Sequence, residues 1–203
     1  GHASLAAFLM KKPVRVALTR EESICMHPKR HPLTMEIEMG CDSNGRFTFV
    51  KSDIIGDTGA YASVGMKVLE RAAGHATGAY HVDAVEVRSR AVYTNNIPCG
   101  AMRGFGVNQI NFAVESCVDE LCEMGGFDRW QIRYDNALTP GGMTSTGQVL
   151  QSGIGIRKTL EAVKDVFQQS RHAGIACGIK NTGIGNGVPD TGKVKIVIES
   201  PDR

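Results

Sequence analysis

The sequence predicts an α+β fold, with mixed or antiparallel sheets packed against helices. Three observations carry this expectation. Predicted strands come in runs, with two-residue alternation at 33–41 and 82–94 and a hairpin partner at 47–55. Segments with apolar residues at helical spacing stand apart from them, at 107–123 and 156–167. Turn chemistry rich in Gly, Asn and Asp separates the two kinds. Strands in runs with helices between them favour α+β over a doubly wound parallel sheet.

Taken in order, Ala3, Leu5, Ala6, Phe8 and Leu9 predict the tail of an apolar helix over 3–12, stopped by Pro13. Val14–Leu18 alternates and reads as a strand. Thr19-x-x-Glu22 is a capping-box pattern that opens a short helix or turn. Leu33, Met35, Ile37, Met39 and Cys41 alternate with less apolar residues, which gives one buried and one wet face. Asp42-Ser43-Asn44-Gly45 is a turn, with Gly45 available for positive φ. Phe47–Ile55 returns as the hairpin partner. Residues 66–74 read as a helix, and Val82–Thr94 as another strand.

Val107, Ile110, Val114, Val118 and Leu121 fall on one helical face, closed by Gly125-Gly126. A short helix is predicted at 127–136. Residues 139–152 are rich in Gly, Ser, Thr and Gln and read as a loop or linker. Ile156, Leu160, Val163 and Phe167 give a helix capped by Ser152 or a neighbour. Gly174–Ile179 reads as a short buried strand, and Val194, Ile196 and Ile198 as a last one.

Composition narrows the function classes. The chain has 203 residues, with 42% hydrophobic and 22% charged, an ordinary globular balance. Glycine is high at 24 residues, which points to sharp turns or close backbone approaches. Net charge is only +2 and no basic block is long, so neither nucleic acid nor a membrane surface is indicated. Residues 2–10 are apolar but too short to cross a bilayer. Six cysteines form no C-x-x-C pair. Beyond Cys117 and Cys122, a plant-type iron–sulfur pattern would need Cys at 125, which is Gly125. They read as reduced cytoplasmic residues that pack structurally.

The strongest chemical candidate is the loop Pro98–Gly106, between a predicted strand and a predicted helix. A helix N-terminus exposes unpaired N–H groups and favours anions. Three glycines allow close approach, and Arg103 adds a forked cation. The loop suits an oxyanion, a phosphate or a metal-oxo group; the bland alternative is a tight turn with a surface Arg. Glu70-Arg71, near His75, reads on its own as a solvated ion pair. Gly183-x-Gly185-x-Gly187 lacks the dinucleotide spacing and is followed by a strand, so a nicotinamide-binding fold is rejected. His27 and His31 are spaced for zinc on a helix, but Pro28 and Pro32 oppose a helix and favour a surface turn. No G-x-S-x-G elbow supports serine catalysis.

Met102-Arg103-Gly104-Phe105-Gly106-Val107-Asn108-Gln109 resembles the R-G-F-G-x-x-Q motif of molybdenum hydroxylases, the xanthine dehydrogenase and aldehyde oxidase group. Pro13-Val14-Arg15 with Thr19-Arg20-Glu21-Glu22, Arg30-His31-Pro32, Glu70-Arg71-Ala72 and Asn95-Asn96-Ile97-Pro98 are similar to further family elements in the same order. Bacterial xanthine dehydrogenases look closest. The resemblance implies a partial molybdopterin-binding domain over 1–203, with a sub-boundary near 139–152.

It further implies a cofactor site at Met102, Arg103 and Gly104, with the molybdenum held through the pterin and no direct protein ligand. Arg71 takes a catalytic and substrate-binding role, and Phe105 and Gly187 bind substrate. A Cys after the motif Arg would mark carbon monoxide dehydrogenases; Gly104 stands there. The family's second stacking Phe falls near Asn186, and Gly187 stands where mammalian members carry Thr.

The expected reaction is hydroxylation of a purine with water-derived oxygen. A preorganised Arg is worth most against charge that develops in the transition state, and a Phe beside the metal orients a flat ring. The cofactor would be molybdopterin, plain or as cytosine dinucleotide, with FAD and 2Fe-2S centres in partner subunits or domains. The alternatives are an aldehyde- or nicotinate-type hydroxylase and a non-catalytic binding module. The first residue is Gly, and the family's G-G-F-G-G-K-E and T-E-M-G-Q-G segments would flank this stretch. The chain is therefore expected to be an internal, cytoplasmic fragment, inactive without the remainder of its subunit.

Overall fold

The structure, a computed structural model, describes residues 1–181 and 191–197. Its centre is the hairpin of β1 (Leu33–Cys41) and β2 (Phe47–Asp57), paired antiparallel from Leu33 opposite Gly56 to Cys41 opposite Phe47. The turn forms as its residues dictate. Asp42 Oδ1 accepts from the Asn44 and Arg46 N–H groups, and Gly45 takes φ +81°. From β2 the chain runs through α3 (Gly65–Ala73) to β3 (Ala84–Val92), which pairs parallel to β2. The sheet has order β1-β2-β3 among the described residues and is mixed, as the α+β expectation allows.

One face of this sheet is covered by α3 and by α4 (Val107–Gly125). The main core joins Phe47, Val50 and Ile54 of β2, Val68, Leu69 and Ala72 of α3, and Ile110, Val114, Val118 and Cys122 of α4. The α4 residues keep the predicted one-face spacing, and Gly126 closes the helix in the left-handed conformation at φ +68°. Each fully buried Ile or Val here contributes about 1.5–3 kcal/mol.

A second cluster lies between α5 (Arg129–Asn136) and α6 (Ile156–Gln169), around Trp130, Ala137, Ile156 and Leu160. The two outer helices at the start are α1 (His2–Met10) and α2 (Arg20–Met26). The predicted capping box is present in α2, with Thr19 and Glu22 each accepting the other's backbone N–H at 3.2 and 2.8 Å.

Several expectations are corrected. Val14–Leu18 is not a strand but an irregular connection, and Gly174–Ile179 has no ladder either. Alternation places side chains on two faces, but a strand also needs a neighbour to bond. Ile175, Cys177 and Ile179 still turn half-buried towards the second cluster. Residues 191–197 form no strand, and Val194 and Ile196 are exposed; Ile198 lies outside the described residues. The cap of α6 is Gly155 without a side-chain bond, rather than Ser152.

Candidate functional site

Two regions flank α3, and the motif residues divide between them. The first is the loop that opens α4. Gly104, Phe105 and Gly106 take positive φ in succession, at +94°, +53° and +96°. Gly106 is the N-cap of α4, which has no side-chain cap. A Cβ on Gly106 would collide with the Val68 carbonyl of α3, so glycine lets this loop lie directly on that helix. Met102 and Arg103 are exposed, and Phe105 is half-buried against the main core.

The other motifs converge on this loop. Arg30 donates to Asn108 Oδ1 at 3.1 Å, and Gln109 Nε2 donates to the His31 carbonyl at 3.1 Å. Asp57, at the end of β2, accepts from the Gly59 N–H, the Thr94 hydroxyl and the Asn96 amide at 2.7, 2.6 and 2.5 Å. The Thr94 and Asn96 bonds chiefly hold its carboxyl below the usual carboxylate range. This ties Thr94 and Asn96 to the end of the central strand β2.

His31 is not part of a surface turn. It is buried, and neither ring nitrogen has a partner among the described residues. Burial pushes its pKa below the ordinary imidazole value, against a smaller upward pull from Asp57. A histidine held neutral on folding makes the unfolded chain the better proton binder at acid pH. Stability therefore falls as pH drops below about 6.5. We expect an acid-unfolding profile whose slope below that pH shrinks in His31→Leu. An unchanged slope would remove this assignment.

The second region is a cavity of about 650 Å³ on the other side of α3. Glu70 and Arg71 line it from α3, His75 from the turn just after α3, Thr144, Thr146 and Gln148 from the 139–152 loop, and Lys180 and Asn181 from the segment after α6. Arg71 is not paired with Glu70, as the expected ion pair would have it. Glu70 instead meets Lys67 at 2.9 Å, because neighbours in a helix point in different directions while i and i+3 share a face. Arg71 and Lys180 act on each other as like charges. Partial desolvation at the cavity wall and that repulsion push the amine of the otherwise exposed Lys180 below its usual value.

The structure therefore brings Arg103, Gly104, Phe105, Asn108, Gln109 and Arg30-His31 together, and puts Arg71 in a separate cavity that Met102–Phe105 do not line. Gly187 and Asn186 lie outside the described residues. No cluster of three or more His, Cys, Asp or Glu able to hold a metal occurs among the described residues. Sequence reasoning gave no functional role to Asp57, His75 or Lys180. Asp57 lies just past the predicted strand Phe47–Ile55. His75 is four residues after Arg71, a helical spacing that could have flagged it. Lys180 carried no signal, since it is remote in sequence.

Residues 2–137 match the molybdopterin cofactor-binding domain. The chain belongs to that family. It is a molybdopterin-binding domain of the molybdenum hydroxylase superfamily, which includes xanthine dehydrogenases and aldehyde oxidoreductases. The domain is 42% identical over 164 residues to the nicotinate dehydrogenase large molybdopterin subunit of Eubacterium barkeri, covering 81% of this chain and 39% of that protein. It is 34% identical over 169 residues to the xanthine dehydrogenase molybdenum-binding subunit of Escherichia coli O157:H7, covering 81% of this chain and 22% of that one. Among solved structures, it resembles the aldehyde oxidoreductase of Desulfovibrio gigas, with TM-score 0.67 and 29% identity, over 70% of this chain and 15% of that one. The domain thus spans well under half the length of these relatives. No helix among its described residues is long and apolar enough to cross a membrane.

Proposed function

We propose that the whole protein hydroxylates an N-heterocyclic carboxylate of the nicotinate type. The observation that carries this reading is the pair of cations, Arg71 and Lys180, facing one cavity whose nearest carboxylate, Glu70, is already engaged by Lys67. Such a cavity favours an anionic ligand. The 42% identity to a nicotinate dehydrogenase subunit supports the same reading over the purine one expected from the motifs. An aldehyde offers no carboxylate to a second cation.

The residues present fit a molybdopterin. The uncapped start of α4 offers N–H groups to anionic oxygens. The buried Gln109 Oε1 and the ring nitrogens of His31 lack partners that a hydrogen-bonding heterocycle could supply. Met102, Arg103 and Gly104 would hold the group from this loop. When bound, the cofactor supplies the two-electron acceptor for the hydroxylation.

In the net reaction a ring C–H becomes C–OH, water provides the oxygen, and two electrons and two protons leave. Arg71 would bind the substrate anion and stabilise negative charge that builds on the ring. Gly187 would orient the flat ring; Phe105 does not line this cavity and takes no part in holding the ring there. The remainder of the subunit completes the site, and 2Fe-2S and FAD centres in partner subunits or domains would carry the electrons away. Six free cysteines suit a cytoplasmic protein.

The test is kcat/KM of the purified whole oxidoreductase for nicotinate, xanthine and benzaldehyde. Nicotinate is expected to lead by at least about tenfold, equivalent to ~1.4 kcal/mol. Arg71→Ala is expected to lower the nicotinate value by about 10²–10³-fold. Faster xanthine turnover, or an Arg71→Ala enzyme of wild-type efficiency, would overturn the assignment.

A further inference from the structure

His75 links the two walls of the cavity. Its ring is almost fully buried at the end of α3. Nδ1 lies 2.8 Å from the Arg71 carbonyl, and the Asn181 N–H donates to Nε2 at 3.2 Å. A carbonyl only accepts and an amide N–H only donates. The partners therefore dictate the tautomer: Nδ1 carries the proton, and Nε2 must be bare. The ring joins α3 to a segment 106 residues away in sequence, and that segment carries Lys180. Lys180 is exposed and belongs to no helix or strand, so this bond is a tertiary anchor for an otherwise irregular stretch.

We propose that His75 is a positioning residue, which holds Lys180 and Asn181 across the cavity from Arg71 so that the two cations together grip the carboxylate of an anionic heterocycle. The inference rests on the reading of this cavity as the substrate's. Lys180 Nζ donates to the Asn181 carbonyl and side-chain oxygen, each at 2.9 Å, so one backbone anchor orients both residues. An ammonium has three protons, which leaves one for a ligand oxygen.

The clamp has a pH limit. The charged groups lining the cavity beside the ring are Arg71 and Glu70 from α3 and Lys180 from the segment after α6; the 139–152 loop contributes only uncharged side chains, those of Thr144, Thr146, Gln148, Leu150 and Ser152. Burial lowers the His75 pKa, Lys180 and Arg71 lower it further, and the Arg71 carbonyl opposes them. The ring is thus neutral at neutral pH. Protonation in acid would set Nε2–H against the Asn181 N–H, donor to donor, and open the bond.

The experiment is calorimetric binding of nicotinate and of nicotinamide, its uncharged amide counterpart, to the holoenzyme at pH 7.5 (roughly one unit above the ordinary imidazole value). The readout is the ratio of the two dissociation constants. Wild type is expected to favour nicotinate by about tenfold or more. His75→Leu and Lys180→Gln are each expected to cut that preference about tenfold. His75→Gln, whose amide can both donate and accept, is expected to recover most of it. In wild type the preference is expected to fall only in acid, on the low side of the ordinary imidazole value because the folded ring's pKa is lowered, and in His75→Gln that fall is expected to vanish.

A wild type with no preference, or a Lys180→Gln or His75→Leu protein with the full preference, would overturn the proposal. If His75→Leu does not fold, Lys180→Gln and the wild-type pH series decide it. Product analysis separates the two readings. An enzyme that hydroxylates only xanthine or benzaldehyde defeats the nicotinate assignment, whereas the binding ratio alone decides the role of His75.

Discussion

Arg133→Met is expected to destabilise the protein by about 3–5 kcal/mol, the range for stranding one partner of a buried ion pair. The Arg133 guanidinium is fully buried between α4 and α5. Nε donates to Glu115 at 2.8 Å, one terminal nitrogen to Asp119 at 2.8 Å and the other to the Arg129 carbonyl at 3.0 Å. Tyr80 donates its hydroxyl to the second Glu115 oxygen. Removing the cation leaves a buried carboxylate facing a phenol whose pKa is already driven upward by burial and by that same Glu115 charge. Denaturant unfolding of the whole protein measures the loss. The triple change Arg133→Met, Glu115→Leu, Tyr80→Phe is expected to recover much of it, because the cost lies in the unpaired charge rather than in missing attraction. A single-variant loss under about 1 kcal/mol, the exposed-pair range, would contradict this account.

Gly106→Ala is the second change with a large expected effect. Glycine at φ +96° is needed for two reasons that can be separated. A left-handed residue with a Cβ costs about 1–2 kcal/mol wherever it stands. At Gly106 the Cβ would also meet the Val68 carbonyl, a backbone atom that cannot turn aside. Gly126 has φ +68° and open space around it. Gly126→Ala is thus expected to lose only the strain energy and to keep molybdenum content and turnover. Gly106→Ala is expected to push the 102–106 loop off α3 and lower bound molybdenum and activity by about 100-fold or more, a factor equivalent to ~2.7 kcal/mol. Metal analysis and steady-state rates check both. Equal behaviour of the two variants would show that the close contact with α3 carries nothing.

Local chemistry was legible in the sequence wherever neighbours along the chain determine it. The Thr19–Glu22 box, the Asp42–Gly45 turn and the glycine stop of α4 each depend on bonds spanning a few residues, and each forms as expected. The hairpin of β1 and β2 followed from alternation plus its turn. Val14–Leu18 carried similar alternation and Gly174–Ile179 read as a short buried strand, yet neither became one, because a ladder needs a partner that no local pattern names. The parallel pairing of β3 with β2 was equally invisible, since it depends on how α3 crosses the sheet.

The site divides in the same way. By itself the sequence determined that Met102–Gln109 would be a glycine-rich entry to a helix, because positive φ and helix periodicity are properties of consecutive residues. It also carried the ordered motifs that resemble molybdenum hydroxylases, and residues 2–137 match the cofactor-binding domain. Only the tertiary structure decided what those motifs touch. It buried His31, aimed Gln109 at the His31 carbonyl, and laid Gly106 on α3. It also separated Arg71 from Phe105 and set Lys180 opposite Arg71 through His75, across 106 residues of chain. Hydrogen bonds and charges act over a few ångströms of space, and closeness in space between distant residues exists only once the core has closed.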